Sequence, residues 1–582
     1  MSGGAPSVID LVVDGPHAVV AGVTGAGKSE LLITWILALA ATHSTSEVSF
    51  LLADFKGGTA FDGLRGLPHV TGVLTDLDGA GARRAIESLR AEVRWRESEL
   101  ARCGARDILD ARVTIPRLVI VVDEYAALLG DHPELQAVFG DVAARGRALG
   151  MHLVLGTQRI SGVVRDSLLA NCPLRVSLRV TDASDSRAVL GSDDAALLPG
   201  TVEGRGLAFV RRASDAAPQR VRIALSTPAD IAAVVGREQG PSPRRPWLPD
   251  LPTHLALHEL GPRSSPGELL LGLSDEPAHQ RQRPVGVHLG DRGLLIVGGP
   301  GSGRSTALRT IARQALSVVE VPSSGEGAWD AVAALTDAPP PAGTVLVIDD
   351  LDTLASRLAP DHSHVLVERL ERLFRGAGDA SILVLASAQR LTGAAAKLGD
   401  LLPRRLVLAT ASRADHVAAG GDALHYAADA PPGRGRLGGI VLQVAVSPLS
   451  RTMEEDVEVL QPWVPTATLT GFATRRPQAA RAVIATWTAL GIQALTLDEY
   501  AADPSATADG RVVLVGDPDD WQRHWRLLAS VRADHDLVID TSCAGEYRVL
   551  SASRELPPYA EHGRGRAWLH STGGDAVRIV LS

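Results

Sequence analysis

The chain has 582 residues, 45% of them hydrophobic and 21% charged, enough apolar material for three or four domains of ~150 residues. Its net charge of −9 argues against broad non-specific nucleic-acid binding, which needs phosphate neutralisation. Three scattered cysteines with no CxxC spacing exclude a disulfide framework and a cysteine zinc site, and fit a reducing cytosol. The N-terminus lacks the basic segment of a signal peptide, and the apolar stretch 31–41 is shorter than the ~20 residues that span a bilayer. The expectation is a cytoplasmic location without a membrane span, at the inner face of a membrane only through partners.

In chain order, an apolar strand His17–Gly22 leads into Gly22-Val23-Thr24-Gly25-Ala26-Gly27-Lys28-Ser29 and a helical stretch to about Ala41. The octapeptide fits G-x-x-x-x-G-K-[ST], in which backbone N–H groups cradle phosphates, Lys28 neutralises the β- and γ-phosphates of ATP and the Ser29 hydroxyl ligates Mg²⁺. The following helix turns its positive end to the same place. A strand Val48–Asp54 and helical residues 82–102 come next. The strand Leu118–Asp123 then ends in Asp123-Glu124. There Asp123 would complete the Mg²⁺ shell and Glu124 would polarise the attacking water. A helix over 134–149 precedes the strand His152–Thr157, whose neighbour Gln158 is placed to sense the γ-phosphate or orient water.

Lys is rare here. Only Lys28, Lys56 and Lys397 occur among 58 basic residues, so Lys28 in a phosphate loop points to a need for a compact ammonium. Lys56, in Asp54-Phe-Lys-Gly-Gly, reads equally well as a contact residue or an ordinary turn lysine. Arg83, Arg84, Arg90, Arg94, Arg96 and Arg187 are candidates for an arginine that completes a neighbour's site.

The same order returns twice. Strand Leu294–Gly299 leads into Gly298-Gly299-Pro300-Gly301-Ser302-Gly303-Arg304-Ser305, followed by strands Thr344–Asp350 and Ser381–Ala388. Arg304 replaces the lysine and Asp349-Asp350 lacks the glutamate, so this degenerate site is expected to allow nucleotide binding without hydrolysis. A fainter third copy runs Thr466–Gly471, Arg511–Asp517 and Asp536–Thr541, with Gly471-Phe-Ala-Thr-Arg-Arg-Pro where the loop would stand. It is expected to serve packing or partner binding. Gly-Arg-Gly at 204–206, 433–435 and 563–565 falls near a late strand each time.

Apolar strands alternating with helices imply α/β folding: tandem RecA-like P-loop domains with mostly parallel sheets covered by helices, three copies. The expected division is an ATPase domain at 1–235, a Pro-rich linker at 236–265, a degenerate P-loop domain at 266–452 and a strongly degenerate third domain at 453–582.

GVTGAGKSELL, LLADFKGG, LVIVVDEYAALL, RGRALGMHLVLGTQR and ANCPLRVSLRVTDASDSRAVLG resemble the FtsK/SpoIIIE motor family over residues 10–215. The resemblance implies ATPase roles for Lys28, Ser29, Asp123, Glu124 and Gln158, hexameric rings, and ATP hydrolysis coupled to moving a polymer. The linker, LGLSDEPAHQRQRPVGVHL and the two degenerate copies are similar to the EccC ATPases of type VII secretion. That likeness implies small helical-hairpin secretion substrates and a membrane-embedded secretion complex as partners. The alternatives are a ring-forming translocase of double-stranded DNA and a nucleotide-binding regulator without motor activity.

Overall fold

The computed structural model describes residues 6–54, 60–75, 79–160, 162–237, 243–447, 461–504 and 510–581. Lys56 lies outside the described residues. The chain forms two compact units, one of residues 1–250 with 275–282 and one of residues 251–274 with 283–582.

The first sheet contains β1 (Ala18–Ala21), β2 (Val48–Ala53), β3 (Val70–Leu74), β4 (Arg117–Val122), β5 (Met151–Thr157), β6 (Leu174–Leu178), β7 (Leu207–Arg211) and β8 (Gln219–Arg222). Their order is β3-β2-β4-β5-β1-β6-β7-β8. The strands up to β6 pair in parallel, and β7 and β8 close the sheet as an antiparallel hairpin. Side chains alternate between two cores: Val19, Leu51 and Ile120 enter one, Val20, Leu52 and Val121 the other. Burial on both faces makes each central strand a near-continuous apolar run. The helix α1 (Lys28–Thr42) packs on one face, and α2 (Gly79–Cys103) and α3 (Leu135–Leu149) on the other. Trp247, in the Pro-rich stretch read as linker, is 8% exposed within the first core, with the Arg84 guanidinium 5.2 Å from its ring centre.

The second sheet contains β9 (Glu268–Glu276), β10 (Arg281–His288), β11 (Gly293–Val297), β12 (Val318–Glu320), β13 (Val345–Ile348), β14 (Leu383–Ala388), β15 (Arg404–Leu408), β16 (Arg434–Leu437) and β17 (Ile440–Val444), ordered β10-β9-β17-β16-β15-β11-β14-β13-β12. Apart from β9 and β10, it repeats the first order without a counterpart of β3. In both sheets one strand, β5 or β14, separates the strand before the loop from the strand that ends in acidic residues.

The third sheet, β18 (Leu469–Ala473), β19 (Gln493–Thr496), β20 (Val512–Gly516), β21 (Asp536–Asp540), β22 (Arg566–His570) and β23 (Val577–Val580), is ordered β19-β20-β18-β21-β22-β23. This shifts the expected equivalences by one strand. Val512–Gly516 lies directly beside β18, where β5 and β14 lie in their sheets, and Asp536–Asp540 lies on the other side, in the place of β6 and β15. Gly471 sits inside β18, where an added Cβ would come within 2.9 Å of Trp521, so it opens no loop. Only Thr474–Arg476 separate β18 from the helix Pro477–Ala489, too short for a phosphate cradle.

The Gly-Arg-Gly repeat is also out of register. The glycines that hold equivalent backbone positions are Gly206, Gly433 and Gly565, with φ of 73°, 80° and 64°. Their carbonyls accept from Ile223, Val444 and Leu581 N–H respectively. They are the third, first and third residues of their tripeptides.

The second and third modules pack together within one unit. Tyr559 enters the second module's core and donates to the Arg357 carbonyl at 2.9 Å. Glu326 accepts from the Glu561 N–H at 2.9 Å and from Arg566 Nε at 3.0 Å.

Candidate functional site

The first loop runs from the end of β1 to the start of α1. Gly22 N–H donates to the Thr157 carbonyl at 3.2 Å, Val23 N–H to Arg179 at 3.0 Å and Ala26 N–H to Val23 at 3.1 Å. Gly25 and Gly27 take φ of 78° and 105°, which side chains with a Cβ avoid. Gly27 caps α1, and a Cβ on it would lie 3.4 Å from Gly206 N, whose N–H donates to the Ala26 carbonyl at 3.0 Å. The β7 hairpin thus braces the loop from behind.

Lys28, Ser29, Asp123, Glu124 and Gln158 converge in front of it. Lys28 Nζ donates to the carbonyl and a carboxylate oxygen of Asp123, and lies 3.9 Å from Glu124 Oε2. Ser29 Oγ donates to Asp123 Oδ2 at 2.7 Å. Gln158 Nε2 donates to Glu124 Oε2 at 2.6 Å, and Gln158 N–H to Oε1 at 3.3 Å. Thr24 Oγ1 donates to Gln158 Oε1 at 3.0 Å, a link the sequence reading missed because it joins the loop to a strand 134 residues away. Lys28, Asp123 and Glu124 are all buried. The Ser29 hydroxyl beside an Asp123 oxygen is the hard-oxygen pair that suits Mg²⁺.

Two arginines proposed as trans-acting are used within their own unit. Arg96 is buried, with Nε on Glu92 at 2.7 Å and its other nitrogens on the Leu149 and Pro116 carbonyls at 2.9 Å. Arg84 donates to Asp275 at 2.7 Å, Asp250 at 3.0 Å and the Leu248 carbonyl at 2.7 Å. Arg90 and Arg94 are exposed, and Arg187 is tied to Asp193 at 2.6 Å.

The second loop repeats the first bond for bond. Gly299 N–H donates to Ala409 at 2.7 Å, Ser302 N–H to Gly299 at 3.2 Å and Gly433 N–H to Ser302 at 2.8 Å, and Gly301 and Gly303 take φ of 72° and 99°. Gly298, Pro300 and Ser305 complete it, and Arg304 begins the helix Arg304–Ala312. Strand register makes Gln389-Arg390 the equivalent of Gln158-Arg159, since Ala21 pairs with Thr157 and Val297 with Ala388. The shared Gln-Arg after an apolar strand was the signal available in the sequence.

Residues 1–117 match the FtsK/SpoIIIE family, and residues 294–413 the AAA family of ATPases associated with various cellular activities. Residues 1–117 are thus similar to an FtsK/SpoIIIE-type P-loop ATPase domain. It is 31% identical over 363 residues to the type VII secretion system protein EssC of Staphylococcus aureus, covering 51% of this chain and 24% of that protein. To the ESX-4 secretion system protein EccC4 of Mycobacterium tuberculosis it is 35% identical over 357 residues, covering 51% and 29%. The chain therefore matches less than a third of the length of either relative. Its fold matches the cytoplasmic domain of the type VII secretion ATPase EccC of Thermomonospora curvata at a TM-score of 0.71 and 20% identity, over 97% of this chain and 93% of that one. The module that matches FtsK/SpoIIIE thus heads a tandem architecture with the fold of the EccC cytoplasmic domain, with mixed α/β sheets throughout. Among the described residues no helix is long and apolar enough to cross a membrane.

Proposed function

We propose that the first module is a Mg²⁺-dependent ATP-hydrolysing motor and that the chain is the cytosolic motor part of a type VII secretion ATPase driving protein export. The observation that carries this reading is the single hydrogen-bonded set of Thr24, Lys28, Ser29, Asp123, Glu124 and Gln158. On nucleotide entry Lys28 would leave Asp123 for the β- and γ-phosphates, and Asp123 with the Ser29 hydroxyl would then be the residues to hold Mg²⁺. When bound, Mg²⁺ neutralises charge that develops on the phosphate oxygens. Glu124 takes the proton of the attacking water, and Gln158 holds that carboxylate in place. The second loop holds nucleotide without turnover, because Asp350, in the place of the general base, is shorter than a glutamate and paired with Arg304 at 3.0 Å.

Copies of the chain form a ring, a hexamer by the FtsK/SpoIIIE likeness, and an exposed arginine such as Arg90 or Arg94 completes the neighbour's site. An EccC fragment of Thermomonospora curvata comprising ATPases 2 and 3 was solved in complex with a signal sequence peptide. By that likeness the second and third modules here receive the signal segment of a small helical-hairpin substrate, delivered to a membrane-embedded complex. The FtsK/SpoIIIE match over residues 1–117 favours double-stranded DNA as the second reading. Steady-state ATP hydrolysis with and without duplex DNA separates them. Turnover indifferent to DNA supports secretion, and strong stimulation that fades with salt supports the translocase.

A further inference from the structure

The second loop copies the first in backbone but not in the groups that would hold a metal ion. Asp349 stands where Asp123 stands, yet it accepts a hydrogen bond from Ser387 Oγ and another from the Asp350 N–H at 3.2 Å. Ser305, in the place of Ser29, makes no hydrogen bond to it among the described residues. The cause is one residue on the neighbouring strand. Val20 pairs with Gly156 and Ile296 with Ser387, so the first site has no side chain where the second has a hydroxyl. Asp350, in the place of Glu124, is taken by Arg304 Nη2 at 3.0 Å and held by a left-handed backbone, φ 52°. Mg²⁺ takes hard oxygen donors in near-octahedral geometry, and in the first site the protein offers it a hydroxyl set beside a carboxylate. Here both hydrogen bonds to Asp349 fall on Oδ1, the next carboxylate is paired with a guanidinium, and Ser305 does not face Asp349 as Ser29 faces Asp123, so the hydroxyl–carboxylate pair that fits the ion in the first site is not assembled.

The positive charge is present in another form. Arg304 Nη1 is buried without a hydrogen-bond partner, and so is the hydroxyl of Ser302, a loop residue only 5% exposed. Buried donors without acceptors are unfavourable, and a guanidinium fork matches two phosphate oxygens where an ammonium meets one.

We propose that the second site binds the triphosphate of a nucleotide without a divalent metal, Arg304 standing in for both the loop lysine and the ion. This rests on reading the second loop as a nucleotide site. The test is ATP titration by equilibrium dialysis on the full chain carrying Lys28→Ala, which silences the first site, in Mg²⁺ and in EDTA. The dissociation constant is expected to change by less than threefold between the two conditions. Adding Arg304→Ala should weaken binding at least tenfold in EDTA. Adding Ser387→Gly should release Asp349 and make binding at least tenfold tighter in Mg²⁺ than in EDTA. Tenfold or greater loss in EDTA with Ser387 intact overturns the proposal. Binding absent under both conditions overturns the nucleotide reading of the loop itself. An affinity unmoved by Arg304→Ala removes Arg304 from the site, and Ser387→Gly without a metal effect removes the role given to Ser387.

Discussion

Gln158 and Glu124 form a two-point contact: the side-chain amide donates to Oε2 at 2.6 Å and the backbone N–H to Oε1 at 3.3 Å. Glu124 is thus fixed by a residue that Thr24 ties to the phosphate loop. Glu124→Gln is expected to lower turnover by ~10²–10⁴, the usual contribution of a general base, with ATP affinity nearly unchanged. Gln158→Ala should lower turnover about tenfold, since it loosens the base without removing it. Single-turnover hydrolysis beside equilibrium ATP binding reads both. Wild-type turnover in Glu124→Gln would remove it from the chemistry.

Lys28 and Arg304 occupy equivalent positions but choose different carboxylates. Lys28 bonds Asp123, whereas Arg304 passes over Asp349 to reach Asp350 at 3.0 Å. An arginine at position 28 should therefore pair with Glu124 and occupy the base. Lys28→Arg is expected to keep measurable ATP binding and to lose turnover by at least ~10², whereas Lys28→Ala should lose binding as well. Equal effects of the two substitutions on affinity would refute the difference in reach.

The parts legible in the sequence are those buried on both faces of a sheet. Strands such as Val48–Ala53 and Met151–Thr157 are wholly buried, so their apolar runs stand out. The late strand beside each Gly-Arg-Gly is legible, but its hairpin partner is not where, as in Gln219–Arg222, a half-exposed edge carries charged residues and no apolar run. In the third module similar apolar runs disguised a shift of one strand, which only pairing reveals. The loop lysine and the acidic pair were readable as motifs. The effect of Ser387 was not, because it depends on which residue the register sets opposite Asp349.

His17 and His152 give the first unit a pH-dependent stability. Burial, then the neighbouring His152, pushes the His17 pKa down to about 4. Its Nε2 faces the Ala143 carbonyl at 3.0 Å, and its Nδ1 accepts from the Leu153 N–H at 3.0 Å, so a proton on Nδ1 would displace that donor. Burial likewise pushes His152 down to about 4. Both are neutral in the fold and take up protons on unfolding, so the unfolded chain binds more protons between about 4 and 6.5 and stability rises with pH across that window. The stabilisation is full above about 6.5 and lost as pH falls toward 4, with a steepest slope of about 2.7 kcal/mol per pH unit for two such groups. Urea unfolding of the first unit at pH 4.5, 5.5 and 7 checks this, and His17→Gln should flatten the profile.

Glu326 links the second and third modules and is expected to couple their unfolding. It accepts from Arg566 Nε at 3.0 Å and lies 3.6 Å from Arg578 Nε, with all three side chains mostly buried. Arg578 also pairs with Asp330. Removing the carboxylate leaves two arginines short of charge at a contact that Tyr559 otherwise fills with its ring. Breaking one side of a largely buried pair costs about 3–5 kcal/mol when burial is complete, and about 2 kcal/mol is expected here because solvent reaches the rim. In calorimetry the two modules should melt together in the wild-type chain, and Glu326→Ala should split that transition, the third module melting first. Tyr559→Phe keeps the ring and loses only its bond to the Arg357 carbonyl. It should therefore lower the shared transition by about 1 kcal/mol without splitting it, so a split in Tyr559→Phe would place the coupling in the hydroxyl rather than in Glu326.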